Sequence, residues 1–139
     1  MIIIAVDPGI STGIAIKKDG QYITCTLSLE ATHDGQLRNL LAHANHVVYE
    51  DFVAYKSHYG KVDKNGFETV RIIGRMQEQC GVNKTPMTKY AAQNRLAFIP
   101  KAREMLKTNK VVCNHPTRHE CDALAHLLRY EYEELKRVR

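Results

Sequence analysis

Residues 2–6, Ile-Ile-Ile-Ala-Val, form an apolar run with no polar break, and it stops abruptly at Asp7-Pro8-Gly9. An unbroken apolar run of this length reads as a central β-strand covered on both faces. Both layers of the fold must therefore be built against it. A carboxylate at the end of such a strand is costly unless something compensates it, and a bound cation is one natural compensation. Gly9 and Gly13 leave room for a phosphate or a returning strand. The plainer alternative is a solvated Asp-Pro-Gly turn.

The rest of the chain arranges itself around that strand. Residues 14–16 read as a short second strand, and Asp19-Gly20 is a hairpin signal leading into a third at 22–29. Leu37, Leu40 and Leu41 have helical spacing within 34–44. Residues 47–49 read as a fourth strand, parallel to the first, ending in Glu50-Asp51. Residues 53–66 form a long polar loop with aromatics, and such loops often carry function. Ile72, Met76 and Cys80 line a helix over 67–80, opened by the capping-box spacing of Asn65 and Glu68 and closed by Gly81. Gly74, midway, allows another helix to approach closely. A weak fifth strand falls at 82–87, followed by helical segments over 90–106 broken at Pro100, and a connector at 111–116. Thr117 and Glu120 form a second capping box, opening a final helix with Ala123, Leu124, Leu127 and Leu128 on its apolar face. The order β-β-β-α-β-α-β-α predicts an α/β fold, and 139 residues suit a single domain spanning 1–139.

Charge narrows the function. The chain carries a formal net charge of +5, but residues 71–110 alone hold nine Lys and Arg against Glu78 and Glu104. That segment is more basic than the whole chain, so the remainder, with Asp7 and Glu50, is net acidic. A basic flank beside an acidic centre suits a nuclease, with cations for phosphates and carboxylates for metal. A merely solvated basic surface is the alternative. Apolar runs are too short to span a membrane, and the N-terminus lacks signal-peptide character, so a cytoplasmic location is expected. Cys25, Cys80, Cys113 and Cys121 have no C-x-x-C spacing, and free thiols are expected.

Four polar residues stand where the chemistry would need them. Asp7 ends the first strand, Glu50 ends its expected neighbour, and His119 and Asp122 lie three residues apart on one face of the last helix. Carboxylates with an imidazole, supplied by separate elements, are the pattern for two Mg²⁺ or Mn²⁺ ions clamping a phosphoryl displacement. Asp51 is a further candidate, although adjacent strand residues point to opposite faces. His126, one turn beyond Asp122, reads as a satisfied polar residue or a supporting partner rather than a ligand. Cys113-x-His115 and His119-x-Cys121 invite a zinc reading, but their spacing matches no common finger.

Four segments, Ile4-Ala-Val-Asp-Pro-Gly-Ile-Ser-Thr-Gly13, Val47-Val-Tyr-Glu-Asp-Phe52, Phe67-Glu-Thr-Val-Arg-Ile-Ile-Gly74 and His119-Glu-Cys-Asp-Ala-Leu-Ala-His126, together resemble the RuvC-type Holliday junction resolvases, most of all the short forms typical of bacteriophages. The resemblance runs through nearly the whole chain in order. It implies an RNase H-like fold with a mixed five-stranded sheet, order 3-2-1-4-5, and helices on both faces. It also implies a homodimer that cuts branched DNA, the four-way junction above all, with divalent metal, in the host cytoplasm if a phage encodes it. Asp7, Glu50 and Asp122 match the family's metal ligands, and His119 stands where many members have Asp and some have His. Phe52, Tyr55 and Tyr59 are candidates for its aromatic wedge, and Lys84 and Lys89 for its basic DNA contacts. Asp7-x-Gly-x-x-Thr12-Gly13 also resembles the first phosphate motif of sugar kinases and actin-like ATPases, but those need two related domains. A less selective nuclease acting on flaps, forks or RNA, and a catalytically silent DNA-binding module, remain the rival readings.

Overall fold

The structure is a computed structural model, and it describes residues 1–28, 33–52 and 64–138. Tyr55, Tyr59 and most of the polar loop lie outside the described residues. Among the described residues, six strands form one sheet: β1 (Ile2–Asp7), β2 (Ser11–Lys18), β3 (Gln21–Ser28), β4 (His46–Glu50), β5 (Met87–Tyr90) and β6 (Val111–Val112). Their order is β5-β4-β1-β2-β3-β6, the expected five-strand order with one strand added. β1 and β3 both run antiparallel to β2, β4 runs parallel to β1 and β5 to β4. The Asp19-Gly20 turn has positive φ at both residues, 50° and 78°, as a two-residue hairpin matching strand twist requires.

The helices are α1 (His33–Ala42), α2 (Lys64–Asn83), α3 (Ile99–Lys107) and α4 (Arg118–Val138). Strand alternation assigns them to faces. Ile4, Val6, Ile14, Val47 and Tyr49 bury against Leu37 and Leu41 of α1 and Ile72, Ile73 and Met76 of α2. Ala5, Ala15 and Val48 bury on the other side with Leu124, Leu127 and Leu128 of α4 and Ala102 and Met105 of α3. The small side chains on that second face let α4 lie close to the sheet. β1 is thus covered on both sides, as its composition demands.

Several boundaries differ from the sequence reading, each for a local reason. The connector at 111–116 contains β6, a two-residue strand that pairs with the edge of β3. α2 runs past Gly81 to Asn83, and it is Lys84, at φ 57°, that turns the chain out of the helix. The fifth strand begins only after Pro86, whose carbonyl accepts from the Val47 amide although its nitrogen has no proton to give. Pro100 breaks no helix; it sits in the first turn of α3, where a missing N–H costs nothing. A 3-10 segment, Ala92–Phe98, precedes it. The four cysteines are free thiols. Among the described residues, no helix is long and apolar enough to cross a membrane.

Candidate active site

The alternation that packs the core also aims the site. Ala5 and Val48 face α4, so Asp7, two residues beyond Ala5, and Glu50, two beyond Val48, face α4 as well. Both stand at the carboxyl ends of adjacent parallel strands, where Val6 is level with Tyr49. Open α/β sheets place ligand crevices at such ends. The first turns of α4 close over them with His119 and Asp122. The resulting cleft, of about 420 Å³, is lined by these four residues together with Asp51, Phe52, Thr69 and Arg118.

α4 is located there by two devices. Gly13, the register partner of Asp7, lies against the His119 peptide; a Cβ on Gly13 would overlap its carbonyl and stand 2.8 Å from the Glu120 nitrogen. The second device is Glu120, which is only 2% exposed. Its Oε2 accepts from Thr26 Oγ1 at 2.6 Å and from the Thr117 amide at 3.2 Å. The Glu120 amide returns a bond to Thr117 Oγ1, completing the capping box. Cys113 Sγ donates to Glu120 Oε1 at 3.0 Å. Burial alone would push the Glu120 carboxyl up, but the Thr26 and Cys113 donors hold it below its ordinary value. Glu120 therefore fixes the start of α4 to β3 as an anion.

The electrostatics of the cleft are uneven. Asp7 Oδ2 and His119 Nδ1 share a hydrogen bond of 3.0 Å, Asp7 being buried and His119 half-exposed. Burial, then the nearby Glu50 charge and more weakly that of Asp122, push the Asp7 carboxyl up to about 7, against the pull of His119. Glu50 has cationic help instead. Burial would raise it, but His126 and Arg95 together hold it low. Glu50 Oε1 receives Arg95 Nη1 at 2.5 Å and His126 Nε2 at 3.0 Å. His126 is fully buried, and among the described residues its Nδ1 has no hydrogen-bond partner. A carboxylate can only accept, so His126 donates from Nε2 to Glu50. Asp122 is raised by burial, with Arg95 opposing and Glu50 adding. Arg95 Nε stands 3.4 Å from Asp122 Oδ1.

Asp7, Glu50, His119 and Asp122 are thus brought to one cleft, with Phe52 on its wall. Asp51 also lines it, but its carboxylate accepts from the Phe52 amide and lies 3.9 Å from Lys89 Nζ. Lys89 precedes Tyr90, the register partner of Glu50, and so stands near the site. Lys84 does not. It precedes the opposite end of β5, with the four residues of that strand, roughly 10 Å at strand rise, between it and the cleft. Arg95 and Arg118 are the residues that sequence reasoning passed over. A second groove, of about 820 Å³, contains Arg95, Arg103, Lys107 and Arg118 and reaches Asp122. In the sequence these arginines are indistinguishable from a solvated basic run.

Oxygen donors of this kind suit a hard divalent cation. Among the described residues no three or more His, Cys, Asp or Glu side chains are grouped so that, as they stand, they could hold a metal ion. The donor set nevertheless fits an ion that keeps several waters. Four carboxylates line the cleft, and Asp7 ionises reluctantly, first because it is buried and then because of Glu50 and Asp122.

No protein-family model matches the chain, and no curated protein matches it by sequence. Solved structures do. RuvC from Thermus thermophilus in complex with a Holliday junction substrate is 12% identical with a TM-score of 0.70, over 98% of this chain and 96% of that one. The yeast mitochondrial Holliday junction resolvase Ydc2 is 9% identical with a TM-score of 0.61, over 94% and 79%. YeaZ from Pseudomonas aeruginosa is 15% identical with a TM-score of 0.51, over 78% of this chain but only 52% of its own. Likeness to both resolvases over nearly the whole chain, at so little identity, is a likeness of architecture: this chain has the RNase H-like fold in the form that RuvC takes.

Proposed function

We propose that this protein is a divalent-metal-dependent endonuclease that resolves Holliday junctions or closely related branched DNA. The observation that carries the reading is the meeting of Asp7, Glu50, Asp122 and His119, from β1, β4 and α4, in one cleft beside a basic groove. The fold shared with two resolvases supports the substrate class. Asp7, Glu50, Asp122 and His119 would hold Mg²⁺, or Mn²⁺ in its place, as two ions per subunit. Such ions, when bound, lower the pKa of an attacking water and stabilise the leaving oxygen.

The chain's own residues do the remaining work. Asp7, at the centre of the site, orients the attacking water against the scissile phosphate. A new phosphorus–oxygen bond forms as the bond to the leaving sugar oxygen breaks. His119, bonded through Nδ1 to Asp7 and open to solvent, steadies that carboxylate and carries a proton between cleft and bulk water. His126 holds Glu50 in place from the core side. Phe52, with Tyr55 and Tyr59 beyond it in sequence, stacks on DNA at the branch point. Lys89 and the basic groove contact phosphates, with Lys84 at their periphery. A homodimer supplies two sites for the two equivalent strands of a junction.

The deciding experiment compares the native protein with Asp7→Asn on a four-way junction, a flap, a linear duplex and an RNA–DNA hybrid. The native protein should need Mg²⁺ or Mn²⁺ and cut the junction best, by paired symmetric nicks. Asp7→Asn should lose cleavage by orders of magnitude and still bind the junction. Equal cutting of linear duplex would keep the nuclease and remove the resolvase. Metal-dependent cleavage that survives in Asp7→Asn would overturn the site.

A further inference from the structure

Arg95 occupies an unusual place for a DNA-binding arginine. Its guanidinium spans two of the four carboxylates that line the cleft, with Nη1 at 2.5 Å from Glu50 Oε1 and Nε at 3.4 Å from Asp122 Oδ1. Both pairs are largely shielded from water: the side chains of Arg95, Glu50 and Asp122 are 18%, 18% and 11% exposed. Solvent therefore screens them weakly. A short charge-assisted contact to Glu50 is strong. Among the described residues, the guanidinium is tied to its own segment by one bond, to the Ala92 carbonyl at 3.1 Å. Arg95 also lines the basic groove with Arg103, Lys107 and Arg118. It stands at the junction of the acidic cleft and the groove.

We infer that Arg95 is an exchangeable counter-cation: it neutralises Glu50 and Asp122 until divalent metal claims them, and then swings into the groove to meet a DNA phosphate. The inference rests on the metal-dependent reading of the cleft. Two cations cannot both sit on these carboxylates without strong repulsion in a poorly solvated site. Metal must displace the guanidinium or bind against it. A displaced guanidinium, already at the mouth of the groove, is better placed to be neutralised by phosphate than by protein. Metal and DNA then favour each other, because each binds best to the state with Arg95 turned outward.

The test is isothermal titration with Mn²⁺ alone, without DNA, on the native protein, Arg95→Met, Arg95→Lys and Arg137→Met. Arg95→Met should bind Mn²⁺ at least tenfold more tightly. Arg95→Lys, which keeps a cation, should stay near the native affinity. Arg137→Met, which removes an exposed cation near the far end of α4, should not change metal affinity. With Ca²⁺ present, junction affinity should rise in the native protein and rise much less in Arg95→Met. Equal Mn²⁺ affinity in native and Arg95→Met protein would overturn the exchange and leave the nuclease intact. Absence of Mn²⁺ binding in both would overturn the metal reading with it. Because Arg95→Met removes a partner from two shielded carboxylates, a second measurement uses the native protein. In ¹⁵N NMR, the Arg95 Nε–H resonance should move toward the free-arginine position and exchange faster with water as Mg²⁺ saturates the site. A resonance that stays put under saturating Mg²⁺ overturns the inference independently.

Discussion

Gly13 of β2 and His119 of α4 are in contact through their backbones, with no room for a side chain between strand and helix. Gly13 is also the register partner of Asp7. One glycine thus sets the spacing between the acid on the sheet and the imidazole on the helix.

Gly13→Ala should therefore damage activity more than its size suggests. The obstructing atoms are backbone, which cannot rotate away. Overpacking of this kind costs ~1–3 kcal/mol or more. Melting temperature should fall by several degrees, and cleavage should be nearly abolished at temperatures where the variant is still folded. Full cleavage in a folded Gly13→Ala protein would show that α4 has latitude the geometry denies it.

Stability of the metal-free protein should depend on pH through Asp7. Its carboxyl is raised from 3.8 to about 7 in the folded state, first by burial and then by Glu50. Between those values the native protein keeps a proton that the unfolded chain has released. Stability then falls as pH rises through this window. The ceiling for one such group is ~4 kcal/mol. Asp122 shifts the same way, whereas the lowered Glu50 withdraws stability only at more acid pH. In chelator, melting should be higher at pH 5 than at pH 7.5. Asp7→Asn should flatten the difference, and divalent metal should restore the loss at pH 7.5.

Association should depend on α2. Phe67 and Val70 are 65% and 53% exposed there, and a Cβ at Gly74 would meet nothing within 4 Å. Sedimentation at micromolar concentration should give about twice the 15.8 kDa chain mass. Val70→Glu should return it to the monomer without lowering the melting point of the subunit. A native mass near 15.8 kDa would remove this interface.

Binding to DNA should weaken steeply with salt, by about 0.9 in log K per decade of salt for each phosphate neutralised. Changing Arg103 and Lys107 together to Gln should flatten that slope by roughly two contacts' worth and weaken all DNA sequences alike. Lys89→Glu should cost more than Lys84→Glu, since only Lys89 lies at the cleft end of β5. An unchanged slope in the double variant would move the binding face elsewhere.

The run at 2–6 made the centre of the sheet legible, because only a doubly covered strand needs so much apolar surface. Asp7, Glu50, His119 and Asp122 were legible as well, since polarity at the ends of buried elements has to be explained. β6 was not, because two valines in a connector give no period to read. Arg95 was invisible for a different reason. Its role depends on a 3-10 segment folding back to the strand ends, and a count of charges along the chain carries no such information. Glu120 announced itself as a cap but not as the buried anchor between α4 and β3, a role that Thr26, far off in sequence, makes possible.

The bond between Asp7 and His119 joins residues 112 positions apart. Asp7 is made with the first strand of the sheet, while its partner follows only after the sheet's other strands have been made. Domains are built as the chain is made, N-terminal parts first. A nascent chain therefore carries the acidic half of the site with no helix to complete it. The four side chains meet only when α4 settles onto Gly13, and a chain that stops short of α4 carries Asp7 and Glu50 alone.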